Sequence, residues 1–91
     1  MGNGSLNDDQ RLFLKALHDS DAANPSQIVF DVSHIWEETG LELDDEAKSQ
    51  IVRYLVDDGY ILVAIEVKEV IYKVEISRKG IGYIENIVIP G

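Results

Sequence analysis

The chain has 91 residues, of which 45% are hydrophobic, and this length accommodates one small domain with a single core. Its 17 acidic and 8 basic residues give a formal net charge of −9 at pH 7, which repels polyanions such as nucleic acids at long range. The chain has no cysteine, which excludes disulfides, thiolate catalysis and cysteine-ligated zinc.

No stretch of the sequence approaches the roughly 18 consecutive apolar residues of a membrane span, and the amino terminus lacks the pattern of a secretion signal. Together with the absence of cysteine, this predicts a cytoplasmic protein without a membrane partner. The first residues are small and polar. We therefore expect residues 1–6 to form a disordered tail and residues 7–89 to form the single domain.

The first two predicted helices carry start and stop signals. Asn7 has the spacing of a capping box and precedes a broad apolar arc. After a loop, the β-prone run at residues 28–30 predicts a short first strand. Asp31 is a candidate cap for a second helix that ends at Gly40. Trp36, the sole tryptophan, lies in the apolar stripe of this helix, where core packing is favoured over a role as an interface anchor.

The third predicted helix begins after Asp44, a suitable N-cap, and stops before Gly59, a left-handed terminator. Helical stepping places its apolar residues on one side and Ser49, Gln50 and Arg53 on the other. Side chains of these types read base edges when a helix enters the major groove of DNA. A solvated helix face is the favoured interpretation, because carboxylates share that side.

An acidic cluster surrounds the start of the third helix. It consists of Glu42, Asp44, Asp45 and Glu46. Carboxylates at this position stabilise the helix dipole, and this role is favoured over metal binding, since the spacing lacks the glycine and distal glutamate of a calcium loop. The acidic cluster is also a candidate contact surface for a basic protein partner, because complementary charge steers association.

Two runs of alternating residues predict a β-hairpin that folds about Lys68 and Glu69. The predicted register makes one face apolar throughout. It pairs Val67 with Val70, Ile65 with Tyr72, Val63 with Val74 and Ile61 with Ile76. The turn lacks the glycine or asparagine of tight hairpins, so we expect a looser loop over residues 67–70.

Ser77 is the candidate cap of a fourth helix that carries two apolar stripes. The stripe that contains Ile81 and Ile84 is sufficient for the core. The other stripe contains Tyr83 and Ile87 and is a candidate surface for dimerisation, although scattered apolar residues are common on protein surfaces.

The sequence offers little support for catalysis. His18 and His34 are the two histidines, and neither has a second histidine or a cysteine at a metal-ligand spacing. No glycine-rich phosphate loop is present. We predict that the protein is not an enzyme and uses no cofactor or resident metal.

The order of predicted elements is helix, short strand, helix, helix, hairpin and helix. With DDGYI at residues 57–61 and SRKG at residues 77–80, this order resembles small, repressor-like winged-helix proteins of bacteria and archaea. The resemblance implies an α+β winged-helix fold, with a three-helix core, a wing of two or three strands and a C-terminal helix. Many proteins of this class bind DNA as dimers through the third helix and the wing.

Two functions remain open at this point. The favoured one is a non-enzymatic, regulatory protein-interaction module that binds a protein partner or a second copy through the acidic cluster or the fourth helix. The alternative is a sequence-specific DNA-binding transcriptional regulator. Its candidate residues for base and phosphate contacts are Lys48, Ser49, Gln50, Arg53, Lys68, Lys73, Arg78 and Lys79. The acidic net charge favours the interaction module, and so does Glu69, whose carboxylate offsets the charge of the adjacent Lys68 at the tip of the hairpin.

Overall fold

The computed structural model describes residues 6–88, which form an α+β fold in the element order predicted from the sequence. The elements are α1 Asp8–Ala23, β1 Phe30–Asp31, α2 Val32–Thr39, α3 Asp45–Asp57, β2 Ile61–Val67, β3 Val70–Ile76, α4 Arg78–Tyr83 and a π-helical segment Ile84–Val88. The strands form one antiparallel sheet in the order β1-β3-β2. Within residues 6–88, the helices are all too short or too polar to cross a membrane.

Local side-chain caps explain where the first helices begin. Asn7 completes a capping box at α1, and Asp44 accepts a hydrogen bond from the Ala47 backbone N–H at 2.8 Å at α3, so both predicted caps are confirmed. Asp31 occupies the N-cap position of α2, but its side chain makes no capping hydrogen bond. It lies instead 2.9 Å from the ammonium of Lys73, so the predicted capping by this side chain is wrong.

Glycines end two helices and a serine begins the last one, as predicted. Gly40 and Gly59 follow α2 and α3 with φ angles of 73° and 83°, in the left-handed region that favours glycine. The Ser77 hydroxyl accepts a hydrogen bond from the Gly80 N–H at 3.1 Å and lies 2.8 Å from the Tyr60 carbonyl oxygen, to which it donates. Ser77 therefore both caps α4 and fixes this helix to the start of β2.

The helices and the sheet share one hydrophobic core. Its buried members are Leu6, Phe13, Leu14, Leu17, Phe30, Ile35, Trp36, Val52, Leu55, Tyr60, Ile61, Val74, Ile76, Tyr83 and Ile84. Full burial of each large apolar side chain stabilises the fold by roughly 1.5–3 kcal/mol. Trp36 packs against Phe13 with ring centroids 4.7 Å apart, which confirms its predicted place in the core.

The boundary of the predicted tail is wrong at Leu6. This side chain is buried, and its backbone N–H donates a hydrogen bond to the Tyr83 hydroxyl at 3.3 Å. The apolar side chain is anchored because the core has a place for it beside the last helix. Residues 1–5 of the predicted tail lie outside the described residues.

Tyr83 does not lie on an outward stripe of the fourth helix, so that expectation is wrong. It is buried and packs edge-on against Tyr60, with ring centroids 5.4 Å apart. The Tyr83 side chain is held by the Tyr60 ring and by the hydrogen bond from the Leu6 N–H, contacts that the spacing along one helix does not predict. After Tyr83 the helix changes from α to π, which alters the angular spacing of the residues that follow. The side chain of Ile87, the other residue of that stripe, lies outside the described part of the chain.

The β2–β3 hairpin keeps three of the four predicted pairs. These are Val67 with Val70, Val63 with Val74 and Ile61 with Ile76. The fourth prediction is wrong, because Ile65 lies opposite Lys73 and the pairing is irregular on both sides of this residue. A local irregularity of this kind is set by cross-strand geometry, so the alternation of residue types does not predict it.

The expectation of a looser hairpin loop is also wrong. Lys68 and Glu69 form a tight two-residue turn between the paired residues Val67 and Val70. Both turn residues adopt left-handed backbone conformations, with φ angles of 50° and 68°. The twist of the flanking strands favours such a turn, and it is made here without the glycine or asparagine that adopts it at lowest cost.

Candidate functional site

The outer half of the β2–β3 hairpin exposes an apolar surface. Val74 and Ile76 are buried. Nearer the hairpin turn, Ile71 packs against the core while Tyr72 is exposed, so the alternation of buried and exposed residues along β3 is interrupted. The interruption lies beside the irregular pairing of Ile65, and such irregularities redirect the side chains beyond them. The face predicted to be apolar is therefore buried at its inner half alone. Its four outer residues, here called the hairpin patch, are Ile65, Val67, Val70 and Tyr72, each 43–52% exposed.

A groove of about 720 Å³ adjoins the hairpin patch. One wall consists of four consecutive residues of β3, residues 70–73. Because consecutive side chains of a strand point to opposite faces, a groove lined by all four follows the edge of the strand. Residues at the start of α3, including Ser49, also line the groove, and Trp36 and Val52 supply part of its apolar lining.

The edge of β3 is open at this groove because β1 is short. β1 pairs Phe30 with Val74 and Asp31 with Lys73, and the chain then turns into α2 at Val32. From Val70 to Tyr72, between the hairpin turn and Lys73, the edge of β3 on the β1 side has no strand partner within residues 6–88. A strand edge of this kind presents N–H and C=O groups to which another extended chain can hydrogen-bond.

Carboxylates outnumber ammonium groups around the groove. Asp31, Asp45 and Glu46 line it together with Lys48 and Lys73. Lys73 already lies 2.9 Å from Asp31, which leaves the exposed Asp45 and Glu46 in excess over Lys48. The other two members of the acidic cluster, Glu42 and Asp44, are also exposed, so the negative charge extends beyond the groove. Across the described residues, no three histidine or carboxylate side chains converge as metal ligands would.

Arg53, the central residue of the predicted DNA-reading face, is engaged within the protein. Its guanidinium donates to a carboxylate oxygen of Glu66 at 3.1 Å and to the backbone carbonyl of Glu69 at 3.2 Å. It therefore links α3 to the outer part of the hairpin. Ser49 and Gln50 are exposed on the same helix; Ser49 lines the groove, whereas Gln50 does not.

The other candidate phosphate-binding residues do not form one basic surface. Lys79 donates to the Asp58 carbonyl at 2.6 Å, and its ammonium lies 4.5 Å from the centre of the Tyr60 ring. Burial, with the Asp58 carboxylate acting in the same direction, raises the pKa of that Tyr60 phenol. Within residues 6–88, the basic side chains that form ion pairs are Arg11, Lys15, Arg53, Lys73 and Lys79, and those that form none are Lys48, Lys68 and Arg78.

The sequence interpretation missed both the groove and the hairpin patch. One signal was available: a cap candidate at Asp31 limits β1 to very few residues, whereas β3 extends over Val70–Ile76, so part of β3 must lack a neighbour. Trp36 was placed correctly in the core, but its contribution to the groove depends on how α2 and α3 pack, which its helical stripe does not specify.

Comparisons of the chain with protein-family models, with curated proteins and with solved structures found no match. The function of the groove is therefore inferred from its geometry and chemistry.

Proposed function

We propose that the chain is a small winged-helix protein that acts as a non-enzymatic, regulatory protein-interaction module in the cytoplasm. The element order, with a hairpin after the third helix, supports the winged-helix assignment. The binding surface in this proposal is the groove along β3 together with the adjoining hairpin patch.

The observation that carries the proposal is an open apolar groove beside four exposed large apolar side chains. Single exposed apolar residues are common, but an adjoining groove and patch are typical of interaction sites. Tyr72 belongs to both features, since it is 52% exposed and lines the groove. Tyrosine is enriched among the residues that dominate binding energy at protein interfaces.

A DNA-binding regulator is the alternative, and the exposed Ser49 and Gln50 on α3 favour it. Affinity for DNA comes mainly from lysine and arginine side chains that neutralise phosphates. Here Arg53, Lys73 and Lys79 are already paired with carboxylates of the same chain. The net charge of −9 adds long-range repulsion, so the protein-interaction function is preferred.

Selection of binders from a library of displayed random peptides tests the proposal. The selected peptides are measured against the wild-type protein and against Ser49→Trp, which places a large side chain in the groove from an exposed position. The matched control is Gln50→Trp, because this neighbouring residue is exposed and does not line the groove. Far-ultraviolet circular dichroism establishes that both variants are folded.

We expect selected peptides to bind the wild type and Gln50→Trp alike and to bind Ser49→Trp at least about tenfold more weakly, which is about 1.4 kcal/mol. Peptides that bind all three proteins equally would show that the groove is not the binding site. Failure to select any peptide, combined with salt-sensitive binding of duplex DNA, would replace the interaction module with the DNA-binding alternative.

A further inference from the structure

We infer that the groove accepts an extended, basic segment of a partner protein, which adds to the sheet as a fourth strand beside β3. This inference rests on the proposed function and specifies its mode of recognition. In this mode, main-chain hydrogen bonds to an open strand edge supply affinity, and pockets for alternate side chains supply specificity.

The first support is the match between the groove and the open edge. β1 covers β3 at Val74 and Lys73, and the groove is lined by the preceding residues of β3, Val70 to Tyr72, together with Lys73 itself. An added strand would thus lie beyond the end of β1, along the part of the β3 edge that β1 leaves unpaired. Three residues of strand span about 10 Å, so the contact suits a short peptide segment.

The second support is the apolar lining of the groove. Trp36 is 3% exposed and Val52 is equally buried, so both side chains are held in place by the core while contributing to the lining. Side chains of an added strand point alternately to the two faces of the sheet. One set would therefore contact this lining, and the other set would lie on the side of the hairpin patch. An apolar residue at every second position of the segment satisfies this requirement.

The third support is charge, which selects a basic partner over a second copy of the chain. Asp45 and Glu46 line the groove in excess over Lys48, because Lys73 is paired with Asp31. The positive charge of lysine or arginine residues in the partner segment would be attracted to these carboxylates, and this attraction would accelerate association. Two copies of this chain would each carry a net charge of −9 and repel one another.

The outer edge of β2 is a weaker candidate for strand addition, although it is also unpaired within residues 6–88. Irregular pairing around Ile65 interrupts this strand, and strand irregularities of this type protect edges from pairing. Glu66 is engaged by Arg53 at 3.1 Å, which fixes a charged side chain on the same strand. No residue of β2 lines the groove, so an added strand would gain no apolar pocket there.

The test uses synthetic nine-residue peptides in which lysine and valine alternate. Binding is followed by amide chemical shifts of the isotope-labelled protein and by hydrogen exchange of the amides of residues 70–72. One analogue carries an N-methyl group on the backbone nitrogen of every valine. A second analogue carries an N-methyl group on the backbone nitrogen of every lysine. Because alternate N–H groups of a strand point to opposite edges, each analogue blocks one edge of the peptide. A third analogue replaces every lysine with glutamate.

We expect the unmodified peptide to shift the amides of residues 70–73 and to slow hydrogen exchange at those amides of residues 70–72 whose N–H groups point to the open edge. One methylated analogue should bind about as well as the parent, whereas the other should bind at least about tenfold more weakly. The glutamate analogue should also lose at least about tenfold at low salt, and Ser49→Trp should lose binding while Gln50→Trp retains it.

Failure of the inference is distinguishable from failure of the proposed function. Equal binding by the parent and both methylated analogues would overturn strand addition. Preferred binding of the glutamate analogue would overturn the inference as well. In either case, the groove would remain a peptide-binding site if Ser49→Trp still abolished binding. If the alternating peptides do not bind while library-selected peptides do, the inference alone is wrong. If neither class binds, both are wrong.

Discussion

Among the glycines within residues 6–88, Gly80 has the least room for a side chain. A Cβ atom at this position would lie 2.3 Å from the Tyr60 carbonyl oxygen and 2.9 Å from Cγ1 of Ile76. The Tyr60 carbonyl also accepts the hydrogen bond from Ser77, so the backbone cannot shift without loss. We expect Gly80→Ala to lower the free energy of unfolding by about 1–3 kcal/mol, as measured by urea denaturation.

Gly82→Ala is the matched control for this prediction. The nearest atom to a Cβ at Gly82 is Nδ2 of Asn86 at 3.8 Å, an ordinary van der Waals distance. Replacing a helical glycine with alanine stabilises a helix by about 1 kcal/mol, so the two variants should change stability in opposite directions. Equal urea midpoints would contradict the close approach of α4 to the start of β2.

The hairpin turn carries avoidable backbone strain at two residues. Lys68 and Glu69 have φ angles of 50° and 68°, where a residue with a Cβ is disfavoured by about 1–2 kcal/mol relative to glycine. We expect the double variant Lys68→Asn and Glu69→Gly to raise the free energy of unfolding by about 1–2 kcal/mol. For a domain of this size, each kcal/mol raises the melting temperature by about 4–8 °C in calorimetry.

Glu69→Gln separates the effect of strain from the effect of charge. This variant removes the carboxylate and keeps a side chain in the left-handed conformation, so its melting temperature should stay near that of the wild type. The hydrogen bond from Arg53 is accepted by the backbone carbonyl of residue 69, so it is available in Glu69→Gln and in the double variant alike. An unchanged melting temperature in the double variant would show that the turn is not strained.

At the level of elements, Arg53 joins α3 to the outer hairpin. Its ion pair with Glu66 is partly exposed, with 42% and 35% of the two side chains accessible. Such pairs contribute about 0.2–1 kcal/mol, so Arg53→Ala should reduce stability slightly and speed hydrogen exchange of the hairpin amides. A double-mutant cycle with Glu66→Ala should give a coupling free energy in the same range.

Lys48→Ala is the control for this cycle, because Lys48 forms no ion pair with another described residue. It should leave hydrogen exchange in the hairpin unchanged. If the effects of Arg53→Ala and Glu66→Ala were strictly additive, the link between α3 and the hairpin would have no energetic role.

The elements differ in how far the sequence predicts them. The caps at Asn7, Asp44 and Ser77 were predictable because the cap and its partner lie three residues apart. The tight turn and the irregular pairing at Ile65 were not, because they arise from contacts between two strands. The candidate site shows the same limit. The sequence identifies Arg53 as a candidate residue, but its hydrogen bonds reach residues 13 and 16 positions away, and the periodicity of a helix does not predict such contacts.

At the scale of the whole molecule, charge and ion pairing together determine the expected response to DNA. The chain carries a net charge of −9, and Arg53, Lys73 and Lys79 are engaged by its own carboxylates. We expect mixed-sequence duplex DNA to bind with a dissociation constant weaker than about 10⁻⁴ M at physiological salt, outside the range of typical non-specific DNA-binding proteins. Fluorescence anisotropy and amide chemical shifts measure this binding.

Neutralising part of the acidic cluster distinguishes long-range repulsion from internal ion pairing as the cause of weak DNA binding. The triple variant Glu42→Gln, Asp45→Asn and Glu46→Gln raises the formal net charge by three, from −9 to −6, and leaves the ion pair of Arg53 with Glu66 intact. If internal pairing of the basic residues is decisive, this variant should also fail to bind DNA at physiological salt. Binding that appears in the variant and fades with added salt would make long-range repulsion the decisive cause. Salt-sensitive amide shifts in the wild type at Lys48, Arg53 and the hairpin would instead support the DNA-binding regulator, because Arg53 and Lys73 would have exchanged their internal carboxylate partners for phosphates.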